Sequence, residues 1–317
     1  FYMQDTFNNK YPNDFDDEID LRDLFRALLD GKWIIISVTT FISILGVIYS
    51  LYLPDIYESK AVLVPVTPSN NISGALGGYS SLAGLAGISL SSGDDEGNSV
   101  KAIEKISSLS FFEKNILSNI FLPDLMAVKY WKYDTNTLVY DEKIYDTNTN
   151  TWVRDYSYPK KQQPTAQESF AIFTTEHLNL SEDLKTGFIT LSIKHQSPFI
   201  AKQWAELIVN EVNNFYRKKD KIESEKAVNY LNQQIELTGL AQIKQVIAEL
   251  LQEETQKLTL IEANQYYVFD YIDPPAVMEE NSGPKRLVIC IIIALLGGIL
   301  GIFIVLLKHY AFKERAS

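Results

Sequence analysis

Chemistry near neutral pH would start from histidine, cysteine or paired carboxylates. Here each of these lacks the neighbours that such chemistry needs. The histidines are His177, His195 and His309. Metal ligation or general-base catalysis asks for a second donor at a fixed offset, as in a helical H-E-x-x-H pattern, and no such offset surrounds any of the three. No G-x-S-x-G turn offers a nucleophilic serine. Glu223, Glu225, Glu236, Glu249, Glu253 and Glu254 have the groups for glycoside hydrolysis. They ride on a helical pattern where solvated surface charge is the ordinary state, and nothing singles out a pair. Gly74, Gly77, Gly78, Gly84, Gly87 and Gly93 suggest a phosphate cradle, but no Lys-Ser or Lys-Thr follows at the required spacing. The single cysteine, Cys290, lies inside an apolar run, so it reads as a small packing residue and no disulfide framework exists. The expectation is a chain with no catalytic residue, no metal and no cofactor, hence not an enzyme.

Aromatic side chains offer a different, non-covalent chemistry. Trp131, Tyr133, Tyr140, Tyr145, Trp152 and Tyr156 recur among Asn, Asp and Thr between 126 and 160, which predicts short strands and hairpins. Such rings form a sugar-stacking face or simply pack against one another, since aromatics favour strands for packing reasons alone. The sequons at Asn71 and Asn179 are short enough to arise by chance.

The elements that must carry these residues are dominated by two uncharged apolar runs, Trp33 to Leu53 and Leu287 to Leu307. Each has about 20 residues, the length a helix needs to cross roughly 30 Å of hydrocarbon. The alternative, a signal peptide followed by a buried core helix, fits less well. The first run is long for a signal core and no small-residue cleavage site follows it. The second is apolar on every face. The runs divide the chain into a head of 32 residues, a middle of 233 and a tail of 10. Only the middle is expected to bury a sizeable core. Net charge is −11 overall, −4 in the head and +2 in the tail, so the middle carries −9. That acidity disfavours nucleic acid as a partner. Arg22, Arg26 and Lys32 precede the first run, and Lys308, Lys313 and Arg315 follow the second. By the positive-inside rule both ends are expected in the cytoplasm and 54–286 outside it. Lys285 and Arg286 vote against this, but a long loop crosses largely regardless of its charge.

Periodicity fills in the rest. Residues 1–18 are polar and acidic. Ile19, Leu21, Leu24, Phe25, Leu28 and Leu29 predict a short amphipathic helix at the membrane surface, ended by Gly31. In YESKAVLVPV both alternating faces are apolar, which predicts a strand buried on two sides or close to the membrane. The glycine-rich stretch that follows is expected to be flexible, touching the bilayer surface or a neighbouring subunit. Helices are expected over 98–120 and 164–180, and a strand in GFITLSIKH, residues 187–195. Pro198 opens a helical pattern of about 40 residues, roughly 60 Å long, with Ile200, Trp204, Leu207, Ile208, Val212 and Phe215 as its stripe. Thr238 and Gly239 break it. A second helix from Leu240 to Ile261 makes a hairpin, which must project or pack against copies of itself because a narrow stripe buries little alone. YYVFDYIDPP is expected to return as a strand.

The ends carry the most specific pattern. DEIDLRDLFRALLDGKWIIISV leads into the first run. Pro275 precedes the second run, then the pair Pro284 and Lys285. Eleven residues separate Lys285 from Gly297, and Gly301 lies four further on. This combination resembles the Wzz family, the bacterial polysaccharide co-polymerases that set O-antigen chain length. Met278 stands where that family has a second proline, and Gly283 stands where it has serine. The resemblance implies a membrane-anchored α+β fold, with two transmembrane helices bracketing a periplasmic α/β base (about 54–200 and 265–286) and a long protruding helical hairpin (about 200–264). It implies an inner-membrane homo-oligomeric ring, acting with a Wzy-type polymerase on lipid-linked polysaccharide, with no cofactor and no bond-making of its own. Co-polymerases for enterobacterial common antigen, capsule or exopolysaccharide are the nearest alternative, and an anchored periplasmic enzyme is a further one. Independently of the resemblance, glycines four apart in an apolar helix let another helix approach closely, so Gly297 and Gly301 are expected to pack against the first span or a neighbouring protein.

Overall fold

The computed structural model describes residues 21–66, 95–264 and 266–314. The acidic head, Ile19, the glycine-rich stretch up to Asp94 and the Asn71 sequon lie outside them. The chain forms two compact units, one within Phe1–Leu53 and Pro284–Ser317, the other Pro54–Gly283.

The larger unit is built on a four-stranded antiparallel sheet. Its strands are β1 (Tyr57–Pro65), β6 (Leu178–Glu182), β7 (Ile189–His195) and β8 (Phe269–Asp273), in the order β6-β7-β1-β8. The register places Ala61 opposite Leu191 and Leu63 opposite Ile189. Alternation then puts Ser59, Ala61 and Leu63 on one buried face. The expected two-sided burial of β1 is not what forms. Lys60 is exposed, and Glu58, Val62 and Val64 are only half-buried. The outer valines suit the pleat, and among the described residues no second layer buries that face.

One helix supplies most of the facing layer. α7 (Pro198–Leu237) runs the expected 40 residues, with proline at its first position, where a missing N–H does no harm. Ala201, Trp204, Ala205, Ile208, Val209 and Val212 are buried in the same cluster as Leu63, Leu191, Ile193 and Phe269. Beyond Tyr216 only Ser224 of this helix is buried. α8 (Ala241–Ala263) returns antiparallel to it. Arg217 donates to the Asn264 carbonyl (2.8 Å), the Tyr267 hydroxyl donates to Asp220 (2.6 Å), and Lys221 pairs with Glu262.

Two expected helices are shorter than their periodicity. α3 (Asp95–Ile106) stops where Ser108 caps a new turn, its hydroxyl accepting from the Phe111 amide (3.3 Å). The chain continues as α4 (Leu109–Phe111), a wide π turn (Phe112–Ile116) and a 3-10 turn (Leu117–Asn119). In the second case Thr165 caps α6 (Ala166–Ile172), a π turn covers Phe173–His177, and 178–180 join β6. Leu178 and Leu180 pair with Ile193 and Leu191, so cross-strand packing overrides the helical spacing. Between them lie α5 (Leu122–Met126) and two small hairpins, β2 (Val128–Lys132) with β3 (Thr137–Tyr140), and β4 (Tyr145–Asp146) with β5 (Thr151–Trp152). These match the expected hairpins.

The smaller unit contains α1 (Leu21–Asp30), α2 (Lys32–Tyr52) and α9 (Arg286–Glu314). α1 stops at Gly31, and α2 begins at the next residue. α2 and the Arg286–His309 part of α9 are long and apolar enough to cross a membrane.

Candidate functional site

Four glycines shape the seam between α2 and α9. A Cβ built on Gly301 would stand 3.1 Å from the Ile35 Cα and 3.3 Å from its carbonyl oxygen. One on Gly297 would stand 3.1 Å from the Ile42 Cβ and 3.4 Å from the Thr39 Cα. From α2, Gly46 meets the Ile293 side chain, its Cγ2 2.6 Å from the built Cβ, and Gly31, the residue before α2, meets Val305. Each close approach thus uses a glycine from one helix against a branched side chain or the backbone of the other. Gly298 has nothing nearer than the Thr39 hydroxyl at 3.9 Å. The outward residues, among them Phe41, Leu45, Leu295, Ile299 and Phe303, are apolar and exposed, the dressing of a helix pair for lipid. Cys290 is half-buried.

Pro284 and Lys285 lead into α9, and the Lys285 carbonyl accepts the first helical bond from Ile289 (3.2 Å). Gly283 bridges to Ile56, its carbonyl accepting from the Ile56 amide (2.9 Å). A Cβ on Gly283 meets nothing within 4 Å, so the serine that the Wzz pattern expects there would fit. Pro275 belongs to the larger unit and is buried. The other four motif residues belong to the smaller unit.

The titratable groups of the larger unit are used in holding it together. His195 is buried. Its Nδ1 accepts from the Ser197 amide (2.9 Å), which leaves Nε2–H to donate to the Asp124 carbonyl (2.9 Å). His177 bonds the Lys194 carbonyl through Nδ1 (2.6 Å). The two rings lie 5.7 Å apart, and Trp204 stands edge-on to both. Burial pushes the His195 pKa down to about 4 and lowers that of His177. Asp124, whose pKa is raised by burial, accepts from the Tyr140 hydroxyl (2.6 Å). Arg154 forks onto both carboxylate oxygens of Glu168 and donates to the Gln162 and Lys161 carbonyls. Its hydrogen bonds hold the Glu168 pKa low. Among the described residues no group of three His, Cys, Asp or Glu is placed to hold a metal.

Four of the six aromatic residues pack against other rings. Tyr145 packs against Tyr140 and Trp152, and Trp131 against Tyr57 and Phe199. Tyr133 and Tyr156 stay exposed. The α7–α8 hairpin also leaves apolar side chains open to solvent, including Leu237 (78 %) and Leu240 (66 %), with Ile222, Tyr230, Ile243 and Val246 beside them in sequence.

Sequence reasoning missed Asn213, the polar hub of the domain. Its amide nitrogen donates to the Phe269 carbonyl (2.9 Å), and its oxygen accepts from the Val268 and Phe269 amides (2.7 and 2.9 Å). Beside it opens a cavity of about 210 Å³ lined by Glu206, Asn210, Asn214, Tyr266, Tyr271 and the Pro274–Pro275 pair as well as Asn213. Polar residues at 206, 210, 213 and 214 share the helix with the apolar stripe, and nothing in that run singles out Asn213.

Comparison with known proteins gives one family match, in the N-terminal part of the chain. The family model for chain length determinant protein (Wzz) matches residues 17–127. A full-length bacterial polysaccharide co-polymerase aligns over 94 % of this chain and 100 % of its own, at 16 % identity and a TM-score of 0.42. A fragment of WzzB, a polysaccharide co-polymerase from Salmonella Typhimurium, aligns over 73 % of this chain and 100 % of its own, at 12 % identity and a TM-score of 0.34. A search of curated protein sequences returns no match.

Proposed function

We propose that this chain, whose residues 17–127 match the family model for chain length determinant protein (Wzz), regulates the length of a cell-surface polysaccharide. In this reading it is a bacterial inner-membrane co-polymerase with both termini in the cytoplasm and residues 54–286 in the periplasm. It sets the modal length of the O-antigen as a homo-oligomeric ring. Its partners are a Wzy-type polymerase, lipid-linked polysaccharide and the surrounding membrane lipid. The sheet unit is the base and the outer part of the α7–α8 hairpin is the protrusion.

The observation that carries this reading is the contrast between the two kinds of surface. Buried polar side chains such as Asn213 and His195 are bonded within the fold, whereas the hairpin and the helix pair present apolar side chains that are exposed among the described residues. Exposed apolar surface of this kind favours contact with copies, partners and lipid. The test is deletion of the gene followed by electrophoresis of the lipopolysaccharide. Loss of modal banding, restored by the gene in trans, is the expected result. Loss of capsule or exopolysaccharide with normal banding would move the protein to the alternative co-polymerase class. No change in any surface polysaccharide would refute the proposal.

A further inference from the structure

We propose that the cavity between α7 and β8 binds one neutral pyranose ring of a saccharide chain, through the side chains of Glu206, Asn210 and Asn214 with Tyr266 and Tyr271 as its aromatic wall. The inference rests on the reading of the chain as a polysaccharide length regulator and names where the chain touches its polymer.

Size comes first. At about 210 Å³ the cavity falls below the roughly 300–1,000 Å³ that engulfs a drug-sized ligand, so it suits a single ring. Its rigidity comes from Asn213, whose three bonds to Val268 and Phe269 fix the start of β8 against α7. Glu206, Asn210 and Asn214 stand four residues apart and so rise along one face of α7. No side-chain hydrogen bond joins Asn210 or Asn214 to another described residue, so both amides keep donors and acceptors available. The Tyr271 hydroxyl is closed to solvent and has no hydrogen-bond partner among the described residues. Leaving such a group unmet is unfavourable, and a small turn of the Tyr271 side chain would bring its hydroxyl to a ligand at the floor.

The character of the lining selects the ligand class. Tyr266 and Tyr271 meet edge to face, their centroids 5.9 Å apart, which leaves an apolar wall beside the polar groups. Sugar hydroxyls both donate and accept, which matches two amides and one acceptor-only carboxylate. Among the described residues no Lys or Arg lines the cavity. Glu206 stands close enough to raise the Tyr271 pKa, which burial and this carboxylate bring to about 12. The lining therefore favours a neutral ligand over phosphate or carboxylate. Lys202 pairs with Glu206 from one turn earlier (3.4 Å), which helps to orient the carboxylate.

The test uses the full-length protein in mild detergent, titrated with the methyl glycosides of glucose, galactose, mannose and N-acetylglucosamine and followed by saturation-transfer NMR. At least one glycoside binds in the millimolar range, and Asn214→Ala and Tyr271→Phe each weaken it by about threefold to tenfold, the loss of one hydrogen bond. Tyr271→Phe has a second signature. It removes an unmet buried hydroxyl, so the ligand-free protein melts no lower than the parent while affinity falls. A hydroxyl with only a structural role would lower the melting temperature and leave affinity alone. The proposal is overturned if none of the four glycosides binds, or if both variants bind like the parent. It is also overturned if the variants change the oligomer mass while sugar binding persists, which would make the cavity a subunit contact. Intact glycoside binding together with unchanged polysaccharide in the deletion strain would instead sink the functional reading and leave the site standing.

Discussion

Replacing Gly301 by leucine should separate the two apolar helices, while the same change at Gly298, three residues away, should not. The Cβ on Gly301 would sit 3.1 Å from a backbone carbon and 3.3 Å from a backbone oxygen of Ile35. Carbon atoms prefer about 3.5–4.0 Å, so the helices must part there by roughly 0.4–0.9 Å. A radial gap of about 0.5–1 Å forfeits a quarter to a half of the dispersion energy of each contact along the seam. Overpacking of this kind costs about 1–3 kcal/mol. Gly297→Leu should fall slightly below Gly301→Leu, because part of its nearest neighbour is the Ile42 side chain, which can turn. At Gly298 the nearest atom is 3.9 Å away, and losing a helical glycine gains roughly 0.5–1 kcal/mol. The assay is the melting temperature of each full-length variant in mild detergent, alongside the polysaccharide length distribution each supports in a strain lacking the native gene. Gly301→Leu should melt lower and broaden the distribution, while Gly298→Leu should match the parent or exceed it in stability. Equal behaviour of the two variants would refute the argument, since only the seam distinguishes them.

Three further predictions concern the larger unit. Asn213→Ala leaves two amides and a carbonyl of 268–269 unpaired in the core. It should destabilise the domain by about 3 kcal/mol, read as a shift of the denaturation midpoint. Arg154→Ala should cost about 2 kcal/mol by removing the forked partner of the half-buried Glu168. In the parent, the Glu168 contribution is complete above its ordinary pKa near 4.5 and fades as pH falls through its lowered folded value, a slope that Glu168→Gln should remove. His195 has a folded pKa below its unfolded 6.5, so the unfolded chain takes up the proton first. Stability should be flat above pH 6.5 and fall by roughly 3 kcal/mol towards pH 4. An unchanged melting temperature between pH 7 and pH 5 would contradict the His195 prediction.

What the sequence revealed followed from which interactions are local. α7 and α8 were legible because helical spacing and the Thr238–Gly239 break are written in consecutive residues. The two apolar helices were legible because lipid selects composition directly. The segments 98–120 and 164–180 misled because hydrophobic spacing alone does not reveal where a serine cap or a strand partner interrupts it. Ser108 and the Leu180–Leu191 pairing decide those points, and the second depends on a residue far along the chain. Asn213 was invisible for the same reason. Its three bonds reach 55 and 56 residues ahead, and nothing near it in sequence distinguishes it from the solvated asparagines around it. The glycine seam was half legible. The spacing of Gly297 and Gly301 marks a flat face, but the matching flat positions at Gly46 and Gly31 have no comparable spacing and emerge only when the two helices are paired.

The fold also accounts for how two helices so distant in sequence come to pair. In the order β6-β7-β1-β8, the first strand after α2 and the last strand before α9 are neighbours. Ile56 and Gly283 extend that adjacency by their own bridge, and the Ser59 hydroxyl donates to the Ala276 carbonyl (2.8 Å). Asn281 bonds Asp55 beside them. Folding of the 230 residues Pro54–Gly283 therefore closes the loop that would otherwise oppose pairing of α2 with α9. By the logarithmic dependence of closure entropy, that opposition is several kcal/mol for a loop this long. Lipid supplies little hydrophobic drive between helices, so the seam must succeed on close contact and on ends already held near each other. The sheet supplies the second condition, and the four glycines supply the first.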